Sequence, residues 1–215
     1  MGQYDIVTML RAVPGILLGF TVHEFLHAYT AYRLGDSTAR DEGRLTLNPL
    51  KHIDPWGFLL LAVAGFGWAK PVRISPEKFT HPRRDEILVS LAGPLSNLVL
   101  AFGLAAILKI LLAGGMLGGG PVGYETANVL LTAVFINLGL FVFNLIPIPP
   151  LDGSHLYLPF LKSRSEKAAL LFYRYGVFTL LGIIILENAT KIDILPIGPA
   201  VRWLGERVLK AVGLG

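Results

Sequence analysis

The chain has 215 residues, of which 53% are AVILMFWYC and 16% are Asp, Glu, Lys or Arg, with a mean hydropathy of +0.59. An ordinary soluble domain carries roughly 25% charged residues, and here the apolar residues come in long runs, which excludes a soluble globular class in favour of a membrane protein. The net charge of +4 lies between the apolar runs and not along one face, which argues against nucleic acid as a partner and for anionic headgroups of a lipid bilayer.

Four runs are long enough to span a bilayer, which takes about 20 helical residues. They fall near residues 7–33, 86–113, 127–149 and 168–188. The first is too long for a cleavable leader and carries its own ionisable residues, so it is expected to be retained. A fifth run, residues 56–68, is bounded by Pro55 and Pro71 and is too short to cross, so a re-entrant segment is expected there. The stretch after Pro196, with Arg202, Trp203, Arg207 and Lys210, reads as an amphipathic interfacial helix. The fold class is therefore an all-α polytopic membrane protein: four full spans plus one re-entrant segment in a single domain, 1–215. There is no internal repeat, and no room for an inserted soluble domain.

Basic residues set the orientation. Residues 33–55 carry Arg33, Arg40, Arg44 and Lys51, and residues 70–85 carry Lys70, Arg73, Lys78, Arg83 and Arg84, whereas 114–126 carries no Lys or Arg. The N-terminus is then outside the cell membrane and both basic stretches inside. The first and third full spans run in the same direction, each ending at the cytoplasm.

Within the first span the sequence reads His23-Glu24-Phe25-Leu26-His27. Residues four apart share a helix face, so both imidazoles can reach one ion, with Glu24 beside them as general base. A carboxylate at the centre of a membrane helix costs roughly 2.5–3.5 kcal/mol, so this cluster needs a reason, and a metal supplies one. The absence of cysteine leaves histidine and carboxylate as ligands. Catalytic zinc usually takes three protein ligands. The third should lie at the same depth, about 9–15 Å of helix from the inner surface. Asp152, at the inner end of the parallel span where Pro147, Pro149 and Pro150 end the helix, satisfies depth and direction. His155, His52, Asp54 and Glu187 are weaker rivals: one beyond the turn, two in a solvated loop, one at the outer end. Asn144 is a second candidate for the chemistry, holding the substrate backbone or the developing oxyanion, or else capping the broken helix end.

His23-Glu24-x-x-His27 on one span, with Asn144-x-x-Pro147-x-x-Pro150-Leu151-Asp152-Gly153 ending another, resembles the site-2 protease family of intramembrane zinc metalloproteases. Ala92-Gly93-Pro94-Leu95-Ser96-Asn97 is similar to that family's small-residue segment. Gly43-Arg44-Leu45-Thr46-Leu47-Asn48-Pro49 with His52-x-Asp54-Pro55 resembles its shorter bacterial members, which lack a PDZ domain. The resemblance covers roughly residues 15–155.

The expected function is a zinc-dependent intramembrane endopeptidase, with one Zn2+ per chain on His23, His27 and Asp152, acting on transmembrane protein substrates from the cytoplasmic side. Arg44–Leu47 and Val72–Ile74 have strand character, so a small membrane-dipping β-hairpin or sheet is expected, with Thr46, Leu47 and Val72 contacting an extended substrate. Alternatives are a zinc-binding membrane transporter, against which the missing repeat speaks, and a non-catalytic membrane scaffold, which would not need Glu24. Nothing in the residues sets the oligomeric state or the substrate.

Overall fold

The computed structural model describes residues 6–57 and 70–215. Among these the principal helices are α1 (Ile6–Arg33), α2 (Thr38–Asp41), α3 (Pro82–Ala113), α4 (Pro121–Asn144), α5 (Leu158–Arg164), α6 (Glu166–Thr190) and α7 (Ile197–Ala211). Four of them, α1, α3, α4 and α6, are long and apolar enough to cross a membrane. They answer to the four expected spans.

The ends of these helices follow from local chemistry. α1 stops at Gly35, whose φ of +107° suits glycine, while the Asp36 N–H bonds the Ala31 carbonyl at 2.9 Å. α3 starts four residues earlier than expected, because Pro82 opens it and Asp85 accepts the His81 N–H at 3.0 Å. α4 begins at Pro121 and ends at Asn144, not at 149. Continuing it would set the Pro147 ring against the carbonyl of Phe143.

α1, α3 and α4 form the core of the bundle. α1 and α4 run parallel: Arg11 pairs with Glu125 at one end (2.7 Å), while Gly15 meets Ala133 and Gly19 meets Asn137 and Leu140 further along. A Cβ at Gly15 would lie 2.7 Å from the Ala133 Cα, and one at Gly19 would lie 2.7 Å from Leu140 Cδ1. Two glycines four apart thus let the backbones approach closely, and enlarging either would cost about 1–3 kcal/mol in overpacking. α3 lies antiparallel to both, with Asn97 against Gly19 and Asn137, and Gly93 against the two histidines.

Two expectations change here. No strand forms among the described residues. The Thr46 N–H bonds the Arg44 carbonyl (3.0 Å), its own carbonyl takes Nε2 of His52 (2.8 Å), and the Val72 N–H is held by Glu24 (2.9 Å), so these groups are taken before any ladder can use them. The helix after Pro196 is present as α7, but its apolar face is buried on the bundle. Val208 packs with Ala101, Leu104, Ala133 and Leu138, and Lys109 donates to the Gly213 carbonyl at 2.7 Å. Most of the expected re-entrant segment, residues 58–68, lies outside the described residues; Trp56 and Gly57 are helical.

Candidate active site

The 3.6-residue period of α1 turns His23, Glu24 and His27 away from solvent, each less than 9% exposed. Asp152 arrives from the turn after α4. That turn folds tightly: a Cβ at Gly153 would lie 2.3 Å from the Leu145 carbonyl oxygen, and the Ser90 hydroxyl of α3 donates to the Asp152 carbonyl at 2.5 Å. Gly176 of α6 backs the same turn, its missing Cβ making room for Pro149. Three separate elements therefore fix where Asp152 points.

The donor atoms converge. Nε2 of His23 and Nε2 of His27 are 2.9 Å apart, and Oδ2 of Asp152 lies 3.1 Å and 3.3 Å from them. Proton positions follow from the partners behind each ring. Nδ1 of His27 faces the Val89 carbonyl at 2.7 Å, which can only accept, so Nδ1 carries the proton. Nδ1 of His23 faces Oδ1 of Asn97 at 2.7 Å; the Asn97 amide nitrogen donates to the Gly19 carbonyl and to Asn137, so its oxygen must be the acceptor. When the rings are neutral, two bare Nε2 lone pairs face a buried carboxylate oxygen that has no hydrogen-bond partner of its own.

Three acceptors sharing one space repel each other unless a proton or a metal cation lies among them. Donors around tetrahedral zinc at 2.0–2.1 Å are about 3.3–3.4 Å apart, close to the observed edges. Two imidazoles and one carboxylate are a donor set that suits Zn2+. Gly93 completes the cradle: a Cβ there would lie 2.3 Å from Nε2 of His27 and 2.7 Å from Nε2 of His23. Among the described residues, His23, His27 and Asp152 form the one group of three or more His and carboxylate side chains suited to a metal.

Glu24 sits beside this group with Oε2 accepting the Val72 N–H at 2.9 Å, and its Oε1 makes no hydrogen bond among the described residues. Asn144 donates to the Leu140 carbonyl of its own helix at 3.0 Å. Thr46 lies in a bend and Leu47 is exposed. The rivals face elsewhere: His155 meets Glu86 (2.9 Å), Asp54 caps Trp56 and Gly57, and Glu187 accepts the Leu195 N–H.

Residues 119–183 match the model of peptidase family M50. The chain is 47% identical over 152 residues to a Bacillus subtilis protein named "Putative zinc metalloprotease YwhC", covering 70% of this chain and 68% of that one. The chain belongs to peptidase family M50. It is 33% identical over 170 residues to a Mycobacterium tuberculosis protein named "Putative zinc metalloprotease Rip2", covering 74% of this chain and 60% of that protein. A Methanocaldococcus jannaschii relative, MJ0611, is 28% identical over 155 residues, 70% of this chain and 71% of its own. No solved structure matches. As an M50 peptidase with four apolar helices, the chain is a multi-pass membrane metallopeptidase, a hydrolase of peptide bonds.

From sequence, Asn97 has no assigned part in the site, and an asparagine within a span ordinarily makes a helix–helix contact. Asn97 makes one, and it also sets the tautomer of His23. Its place at the depth of the histidines, on an antiparallel span, was the available signal.

Proposed function

We propose that this protein is a zinc-dependent endopeptidase that cuts membrane proteins within or near their transmembrane segments. His23, His27 and Asp152 hold one Zn2+, and Glu24 is the general base. The convergence of two bare imidazole nitrogens and an unpartnered carboxylate oxygen carries this reading.

Bound there, Zn2+ supplies Lewis acidity toward a peptide carbonyl and toward water. Glu24 takes the proton from water as its oxygen bonds the carbonyl carbon, then delivers that proton to the nitrogen as the C–N bond breaks. The Val72 N–H on Oε2 holds the Glu24 carboxylate in one orientation, leaving Oε1 to handle the proton. Asn97 and the Val89 carbonyl keep both rings in the tautomer that leaves Nε2 free. Asn144, at the end of α4, is placed to support the substrate backbone or the oxyanion once its bond to Leu140 opens.

A transmembrane substrate must unwind before its carbonyls can be attacked. The segment Val72–Ile74, outside any helix and tied to Glu24 through the Val72 N–H, together with exposed Leu47, supports side-chain contacts to an unwound substrate here, since the Thr46 and Val72 amides are already engaged within the protein. The basic stretches near the site end of the bundle support a cytoplasmic active site. A scaffold reading has no use for Glu24 beside the donor set.

The deciding experiment is purification in detergent with zinc counted per chain and cleavage of a model transmembrane substrate followed. Glu24→Gln keeps zinc and loses cleavage, whereas Asp152→Ala loses both. Normal cleavage by Glu24→Gln would remove the assigned base.

A further inference from the structure

Arg44 is 5% exposed, yet among the described residues no ion pair engages its guanidinium. Its two terminal nitrogens donate to two main-chain carbonyls, those of Lys51 and Lys70. A buried guanidinium without a paired carboxylate is costly, so its retention calls for a task. Its position suggests one.

Lys51 and Lys70 lie far apart in sequence but close in space, where the Lys70 N–H also bonds the His52 carbonyl at 2.8 Å. Arg44 therefore ties the Lys51 and Lys70 carbonyls to one side chain. The backbone of Arg44 is held in turn by the Ala39 carbonyl at 2.8 Å, after a turn in which Gly43 takes φ of +68°. Beyond Lys70 come Pro71 and then Val72, whose N–H reaches Glu24. Pro71 locks one of the few backbone torsions in this link, so a hold on the Lys70 carbonyl is relayed to the Val72 amide with little slack. Glu24 is also one of the two carboxylates whose field reaches Arg44, the other being Glu42.

We propose that Arg44 is a positioning residue for Glu24, acting through the strap Lys70-Pro71-Val72, whose last amide orients the carboxylate. This rests on the catalytic reading of Glu24. A planar fork spanning two carbonyls is a job for arginine; the ammonium of lysine keeps the charge but not the two-pronged geometry.

The test compares Arg44→Gln, Arg44→Lys and Pro71→Gly with the zinc-loaded wild type in detergent. It reads zinc per chain, kcat and KM on a model transmembrane substrate, and hydrogen exchange of the 70–76 peptide, in which Pro71 and Pro76 carry no amide. Arg44→Gln is expected to keep its zinc and a KM within about twofold, lose tenfold or more in kcat, and lose protection at Val72. Arg44→Lys should behave nearer to Gln than to Arg. Pro71→Gly should reproduce the effect in part, and the Arg44/Pro71 double variant should be no worse than Arg44→Gln alone. Lys51→Ala, which keeps the carbonyl that Arg44 uses, should leave kcat and exchange unchanged.

Full kcat in Arg44→Gln, full rescue by lysine, or strictly additive losses in the double variant would overturn the strap. If Arg44→Gln fails to fold, Pro71→Gly decides: unaltered kcat and Val72 protection there would reduce Arg44 to a structural role. A zinc-loaded wild type that cleaves nothing would defeat the protease reading instead, and Val72 exchange alone would then judge the strap.

Discussion

At Gly93 a methyl group would sit 2.3 Å from Nε2 of His27 and 2.7 Å from Nε2 of His23, in the space that the donor atoms share. α3 cannot recede to make room, because Asn97, one turn on, is tied to His23, Gly19 and Asn137. Gly93→Ala should therefore evict the metal while the bundle remains folded. The expected result is less than a tenth of wild-type zinc per chain with a helical circular-dichroism spectrum unchanged; wild-type zinc in this variant would mean that the donors meet elsewhere. In the sequence Gly93 is one small residue of the Ala92–Asn97 segment, and only the geometry shows that what it packs against is a pair of imidazole nitrogens. That His23, His27 and Asp152 come together was legible, because HExxH spacing is a property of one helix and Asp152 could be matched to it by depth; they form a group that could hold a metal ion. Asn97 and Gly93 belong to a helix whose facing side is set by tertiary packing, and hydropathy does not report facing.

Asp36 joins two elements, the end of α1 and the segment leading to α3. It is fully buried, and its carboxylate accepts the Thr38 N–H (2.9 Å), the Thr38 hydroxyl (2.5 Å) and the Ser75 N–H (2.7 Å), with Lys78 at 3.7 Å. Burial works to raise its pKa, but these hydrogen bonds and the Lys78 charge outweigh it and hold the carboxyl below its usual value. A carboxylate depressed in the folded state stabilises above its unfolded pKa, and that contribution is lost as pH falls through the folded value. Asp36→Ala, which strands two part-buried N–H groups, is expected to cost about 1–3 kcal/mol at neutral pH, seen as earlier thermal unfolding in detergent. The gap between wild type and variant should narrow below about pH 4; a gap constant with pH would mean that the charge plays no part. Elements like this were only half visible beforehand. The apolar runs marked the spans, since hydropathy is local, whereas the paths of 34–57 and 70–81 hang on single polar anchors. Strand propensity at Thr46 and Val72 misled for that reason: Arg44, His52 and Glu24 had claimed their backbone groups.

For the molecule as a whole, the parallel course of α1 and α4 is the organising fact. Arg11–Glu125 at one end and His23–Asp152 near the other place the Gly-rich loop after α3 at the opposite end from the donor set. Parallel neighbours in a bundle need an intervening span, here α3, and that order delivers Asp152 to the histidines at matching depth. If the basic stretches lie in the cytoplasm, positions 77 and 119 sit on opposite faces of the membrane. The chain has no cysteine, so single cysteines report without background. Glu77 and Gly119 are both exposed, and a Cβ at Gly119 meets nothing within 4 Å, so Glu77→Cys and Gly119→Cys should not disturb the fold. In intact cells a membrane-impermeant maleimide should label Gly119→Cys at once and reach Glu77→Cys only after permeabilisation. The reverse pattern would put the donor set at the outer face, because α1, α3 and α4 carry it as one body and none can be inverted alone without separating His23 from Asp152.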